Sequence, residues 1–190
     1  MNTLKAERRD MKTKAKKLRR EGFVTGNVFG KNMPESIPLQ ILEADAARLV
    51  KTCKKGSKII LDVDGQKMNV LIKEIDFEPI KSRLQEIDFQ TLVSGEKVHS
   101  VAEIVILNHD KVLGGVVEQT LEEISYKALP ETLVEKVEID GSSLKAGDTI
   151  KVSDLDISRN PDIEILTSPD TVVVTVEEVH TVPDTEEAEE

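Results

Sequence analysis

Tryptophan is missing from this chain of 190 residues, and one tyrosine and four phenylalanines make up its aromatic complement. A core must therefore be assembled from Val, Ile and Leu, which favours strands where those residues cluster, and few rings are available for stacking on bases. Cysteine is almost as scarce. Cys53 stands alone between Thr52 and Lys54, which excludes an internal disulfide or half of a Cys-x-x-Cys site and predicts an ordinary reduced thiol. No segment approaches the roughly 18 consecutive apolar residues of a membrane span, and no apolar run follows the cation-rich N-terminus to complete a signal peptide. The expectation is a cytoplasmic protein without membrane contact.

Catalytic motifs are lacking as well. His99, His109 and His180 are far apart, and no Gly-x-Ser-x-Gly, phosphate loop or His-Glu-x-x-His occurs. Asp62-Val63-Asp64-Gly65 is similar to the opening of a calcium loop, but Lys73 stands where that loop needs an acid. Gly114-Gly115 lacks the further glycine and helix of a dinucleotide fingerprint and fits a backbone bend. Neither an enzyme nor a metal or cofactor carrier is expected.

What the chain does have is charge, unevenly placed. The net charge of −10 conceals a division near residue 93: residues 1–93 carry 19 Lys and Arg against 13 Asp and Glu, net +6, whereas residues 94–190 carry 7 against 23, net −16. Such asymmetry points to a nucleic-acid-binding part joined to an acidic part that does not share its surface. The expected organisation is a basic domain at 1–93, an acidic β domain at 94–182 and an acidic, solvated, disordered tail at 183–190.

Patterning gives the elements. Residues 3–9 suit a short strand. Residues 12–21 read as a helix with Met11, Ala15 and Leu18 on one stripe and Lys12, Lys16, Arg19 and Arg20 beside it, a basic face that no core requires. Strands are expected at 23–30 and 37–42, then a second helix at 43–52 with Leu42, Ala46, Leu49 and Val50 on one side. The clearest local signal is Asp64-Gly65 between strands at 58–63 and 67–72, a pair suited to a type I′ hairpin. In the strand at 84–92, Ile87 and Phe89 alternate with Glu86, Asp88 and Gln90, which gives a face of hydrogen-bonding groups. After Val93-Ser94-Gly95-Glu96, strand-like segments at 98–107, 116–118, 124–129, 134–139 and 171–179 suggest an acidic β-sandwich.

The order of these pieces is informative. The run from Lys12 through Lys16-Lys17-Leu18-Arg19-Arg20 to Gly22, followed by Val28-Phe29-Gly30 and Ile87-Asp88-Phe89, resembles the bacterial ribosomal protein L-twenty-five family. The second half is similar to the long, Ctc (general stress protein) members through Gly114-Gly115-Val116, Ala128-Leu129-Pro130 and Leu144-Lys145-Ala146-Gly147-Asp148. The resemblance implies a mainly β protein: an N-terminal β-barrel with two short helices, and a C-terminal β domain. It also implies a monomeric, non-catalytic component of the large ribosomal subunit that binds 5S rRNA and meets neighbouring ribosomal proteins. The family's contact positions fall on Arg9, Lys16, Arg19, Arg20, Phe29, Glu86 and Asp88, and Lys12 joins them from its place on the basic face.

Three positions depart from the family's usual residues: Lys16-Lys17 in place of an Arg pair, Phe29 in place of Tyr, and Glu86 in place of His. The first loses the planar guanidinium fork, the second a hydroxyl, and the third sets a carboxylate where a donor is usual. A reduced RNA affinity is the expected consequence. The alternatives are a stress-related or assembly factor that meets the ribosome transiently, and an interaction module whose acidic half carries the function.

Overall fold

The computed structural model describes residues 2–112 and 115–178. The first half folds as expected into a closed barrel. Its strands are β1 (Thr3–Arg8), β2 (Phe23–Phe29), β3 (Ile37–Leu42), β4 (Lys58–Val63), β5 (Gln66–Glu78) and β6 (Arg83–Thr91). They run in the order β1-β3-β2-β6-β5-β4 and close through a parallel β1/β4 pair, so no strand is left as an edge. Alternation of apolar residues turns Val24, Val28, Ile59, Leu61, Ile87 and Phe89 inward, where they form one fully buried core.

The hairpin between β4 and β5 forms at Asp64-Gly65, both at positive φ (51° and 90°), and Asp62 Oδ1 accepts the Gly65 N–H at 3.0 Å. This is the tight turn expected, and it accounts for the Asp62-Val63-Asp64-Gly65 motif. β5 runs past the expected end at residue 72: its register with β6 shifts between Ile72 and Glu74, a bulge that lets the strand continue to Glu78.

Two helices decorate the barrel, and both differ in detail from the pattern reading. The first, α1 (Ala15–Arg20), is shorter than the expected 12–21. Asp10 preempts its start, because its carboxylate accepts the Lys12 N–H and its carbonyl the Thr13 N–H, folding residues 10–13 into a turn. Met11 consequently leaves the apolar stripe and is exposed, while Leu18 stays buried. The second, α2 (Glu43–Thr52), buries Ala46 and Leu49 as expected, but Leu42 ends β3 and is exposed.

The second half has its own core. Strands β7 (Val98–Leu107), β9 (Glu123–Ala128), β10 (Lys136–Asp140) and β12 (Glu164–Ile165) form one sheet in the order β10-β7-β9-β12. Strands β8 (Gly115–Gln119), β11 (Thr149–Lys151) and β13 (Val172–Glu178) form another in the order β11-β13-β8. Ile104, Ile124, Tyr126 and Val137 of the first sheet share one apolar cluster with Val173, Val174 and Val176 of the second, the face-to-face arrangement of a sandwich. Gly114, His180 and the expected tail lie outside the described residues.

Candidate nucleic-acid interface

The outer face of β2 and β6 is set by a parallel register that puts Thr25 beside Glu86, Asn27 beside Asp88 and Phe29 beside Gln90. Since these positions alternate with core residues, all six project away from the barrel interior. On the other side of β6, Asp76 of β5 pairs with Glu86 and Glu74 with Asp88. The floor is polar and acidic, and cations meet it from one side.

Those cations come from α1 and the turn before it. Arg19 reaches back over β2, donating from Nε to the Gln85 carbonyl at 3.3 Å and from Nη2 to Thr25 Oγ1 at 3.1 Å. Its position is fixed from behind: Arg83 donates to the Arg19 carbonyl and makes a forked pair with Glu43, Nε to Oε1 at 2.8 Å and Nη2 to Oε2 at 2.7 Å. The Arg83 hydrogen bond holds the Glu43 carboxyl below the usual carboxylate range, and the pair joins the start of α2 to the start of β6. Arg9 follows β1 and donates from Nη2 to the Thr13 carbonyl at 3.0 Å, while its buried Nε has no partner among the described residues. Lys12, Lys16 and Arg20 are exposed, and their side chains enter no ion pair among the described residues.

The two carboxylates on β6 are held differently. Asp88 Oδ1 accepts the Asn27 backbone N–H at 3.0 Å and the Asn27 amide Nδ2 at 3.2 Å, so Asn27, rather than Arg19 or Arg20, anchors it. Glu86 receives one long bond from Asn27 Nδ2 at 3.3 Å. Its carboxyl is pushed above the usual range by burial first and by the charge of Asp88 next, with Arg19 and Arg9 pulling the other way. That opposition places both arginines within electrostatic reach of the strand face.

The arrangement thus gathers Arg9, Arg19 and Asp88 within electrostatic reach of Glu86 and sets Lys12, Lys16 and Arg20 exposed beside them. Phe29, half-buried, lies at the far end of the same face. Asn27, Thr25 and Arg83 had not been singled out from the sequence. Asn27 could have been, since it shares a strand face with Phe29 as Glu86 does with Asp88. The Arg83–Glu43 fork joins residues 40 apart and leaves no local pattern to detect. Exposed ammonium and guanidinium groups beside a strip of acceptors and amides can meet phosphates and, next to them, the hydroxyls and base edges of a nucleic acid.

Comparison with known proteins agrees with this architecture. The sequence profile of the Ribosomal L25p family matches residues 4–89, and that of the Ribosomal protein TL5, C-terminal domain, matches residues 87–180. Among curated relatives, the Large ribosomal subunit protein bL25 of Thermoanaerobacter sp. is 30% identical over 179 residues, 92% of this chain and 87% of the relative. The protein of the same name from Gloeothece citriformis is 31% identical over 180 residues, 92% and 89% of the two chains. That of Enterococcus faecalis is 28% identical over 172 residues, 90% and 84%. With a barrel under the first profile and paired sheets under the second, the chain belongs to the Ribosomal L25p family, in the long form that carries a TL5-type C-terminal domain.

Proposed function

We propose that this protein serves in the large ribosomal subunit by binding 5S rRNA with the face built from α1, β2 and β6. Membership of a ribosomal protein family makes it a structural component of the ribosome rather than an enzyme, and the bacterial ribosome is a cytoplasmic particle. The binding residues are Lys12, Lys16 and Arg20 for phosphates, with Arg9 and Arg19 holding that segment in place at the interface and Phe29, Glu86 and Asp88 on the strand face. The barrel at 1–93 carries the RNA site, and residues 94–182 form an acidic β domain that does not touch RNA.

The observation that supports this most is the contrast within the basic segment. Arg9 and Arg19 are spent on internal hydrogen bonds that hold the segment against the strands, whereas Lys12, Lys16 and Arg20 stand exposed and unpaired among the described residues. A purely structural helix would have no need of the second set. Those three side chains meet the phosphates of an irregular RNA helix, and the strand face then reaches its wide minor groove, where Asp88 accepts from a guanine amino group or a 2′-hydroxyl.

The test is a filter-binding titration of 5S rRNA against the full chain and a K12A/K16A/R20A variant at several salt concentrations. The variant should bind more weakly, and the slope of log affinity against log salt should flatten by about 2 to 3, one counterion per lost phosphate contact. An unchanged slope would remove α1 from the interface.

A further inference from the structure

A second cluster of cations lies away from α1, on the loop after α2, at the start of β4 and on the β5 bulge: Lys54, Lys55, Lys58 and Lys73. All four are turned toward the acidic β region. Lys54 Nζ lies 3.6 Å from Glu103 Oε1, and Lys55 Nζ lies 3.3 Å from Glu123 Oε1. Lys58 donates its backbone N–H to Glu135 Oε1 and its ammonium to the Pro130 carbonyl, both at 3.3 Å. Lys73 Nζ donates to the His99 carbonyl at 3.0 Å. The loop is shaped to this neighbour as well as charged for it. Gly56, at φ +87°, brings the main chain so close to β7 that a Cβ there would collide with the Val101 carbonyl oxygen.

We propose that the acidic β region shields this lysine cluster from RNA, its glutamates standing where phosphates would otherwise sit, so that the polyanion is directed to the α1 face. Four ammonium groups on one loop, the strand that follows it and one bulge form a phosphate-binding patch by default. Their proximity is evident at Lys73, whose ammonium is held below the usual lysine range by burial and then by Lys55. Glu103 and Glu123 stand against the ammonium groups of Lys54 and Lys55, and Glu135 holds the Lys58 main chain. The Lys54 and Lys55 pairs remain substantially exposed, with side-chain accessibilities of 61% and 45% for the lysines, so each is individually weak and screened by salt. The shield is therefore an electrostatic cover and not a rigid graft.

The proposal rests on the reading that the barrel binds RNA, and the experiment separates the two. The full chain and its E103Q/E123Q variant are titrated with a generic RNA duplex unrelated to 5S rRNA. Freeing Lys54 and Lys55 should tighten generic binding by about tenfold at roughly 50 mM salt and steepen the salt slope by about 2, one counterion per added phosphate contact. Adding K54A/K55A to the same variant should return both quantities to the parent values. Carbodiimide cross-linking of the parent should join Lys54 to Glu103 and Lys55 to Glu123 at low salt, and the yield should fall as salt rises. An unchanged slope in the glutamine variant, a gain that the lysine substitutions leave in place, or failure of those cross-links would each overturn the shield. Failure of 5S rRNA binding through α1 would instead appear in the K12A/K16A/R20A titration, which does not involve these residues.

Discussion

In the barrel every strand has two hydrogen-bonded neighbours, whereas in the acidic β region β10, β12, β11 and β8 are all sheet edges. An open edge presents unpaired N–H and C=O groups to other chains, and charged side chains along it oppose such pairing. β10 exposes Lys136, Glu138 and Asp140 between its buried residues and β12 exposes Glu164, while on β8 the exposed Val116 is followed by Glu118. The acidity of the second half therefore has structural work to do at its edges, apart from any partner. A closed barrel has no such demand on its outer side chains, which leaves the outer face of β2 and β6 free for recognition. Topology thus leaves the barrel with polar strand residues that no edge needs for protection.

The largest expected effect would break the comparison outright. The apolar clusters of the two halves draw on separate stretches of chain, so fragments 1–93 and 94–190 should each fold, and the first alone should bind 5S rRNA. If about six phosphates are neutralised, its affinity should drop on the order of a thousandfold between roughly 50 and 200 mM monovalent salt. RNA protection by the second fragment in a footprinting assay would defeat the division of labour.

A smaller effect sharpens the same contrast through stability. Phe89 is fully buried in the barrel, and Phe89→Ala should cost about 3–5 kcal/mol there. Tyr126 is fully buried in the second core, where its hydroxyl donates to the Val134 carbonyl at 2.7 Å and accepts the Val134 N–H at 2.8 Å. Tyr126→Phe leaves both Val134 groups unpaired and should cost about 1–3 kcal/mol. Calorimetry should show each substitution lowering a different transition. A common shift of both would mean that the halves unfold as one unit.

Much of this was legible in the sequence, and the misses have physical causes. The barrel strands and the Asp64-Gly65 hairpin could be read because alternation and turn chemistry are local. The start of α1 could not, because the side chain of Asp10 captures the Lys12 N–H and cuts short an apolar stripe that includes Met11. The short strands β11 and β12 carry no alternation of their own and exist only through pairing with β13 and β9. At the site, charge and period two gave the cations and the β6 face. The Arg83–Glu43 fork and the bonds from Asn27 to Asp88 depend on contacts across the barrel, which no local window contains.

The Asn27 contacts refine the next expectation. Asp88→Ala removes an acceptor for an RNA donor and also strands the Asn27 N–H, so 5S rRNA affinity should weaken by roughly 1–3 kcal/mol despite the loss of a negative charge. Asp88→Asn keeps an oxygen for Asn27 while removing the charge, and thermal melts of both variants separate damage to the barrel from damage to the interface. Tighter binding by a stably folded Asp88→Ala protein would show that this strand does not face RNA.

The smallest effect belongs to Glu86, and its direction follows from its pKa. Burial and the neighbouring Asp88 raise the carboxyl above its ordinary value, so the folded barrel binds this proton more tightly than the unfolded chain does. The sign is then fixed: within the window between the unfolded and the raised folded value, stability falls as pH rises, because folding disfavours the ionised form. Glu86→Gln removes that penalty and should flatten the dependence, leaving a barrel at least as stable near neutral pH. A phosphate brought to the α1 face would add further negative potential, so RNA binding by the parent should strengthen as pH falls through the same window, and the glutamine variant should lose that response. Glu86→His goes one step further by restoring a donor. Its affinity for 5S rRNA should exceed the parent's by a few-fold, roughly the scale of one partly exposed charge interaction, and most clearly at low salt where screening is weakest. Filter binding of the three proteins across pH and salt decides the matter. Identical, pH-independent affinities would remove Glu86 from the interface and leave Asp88 and the basic segment to carry recognition.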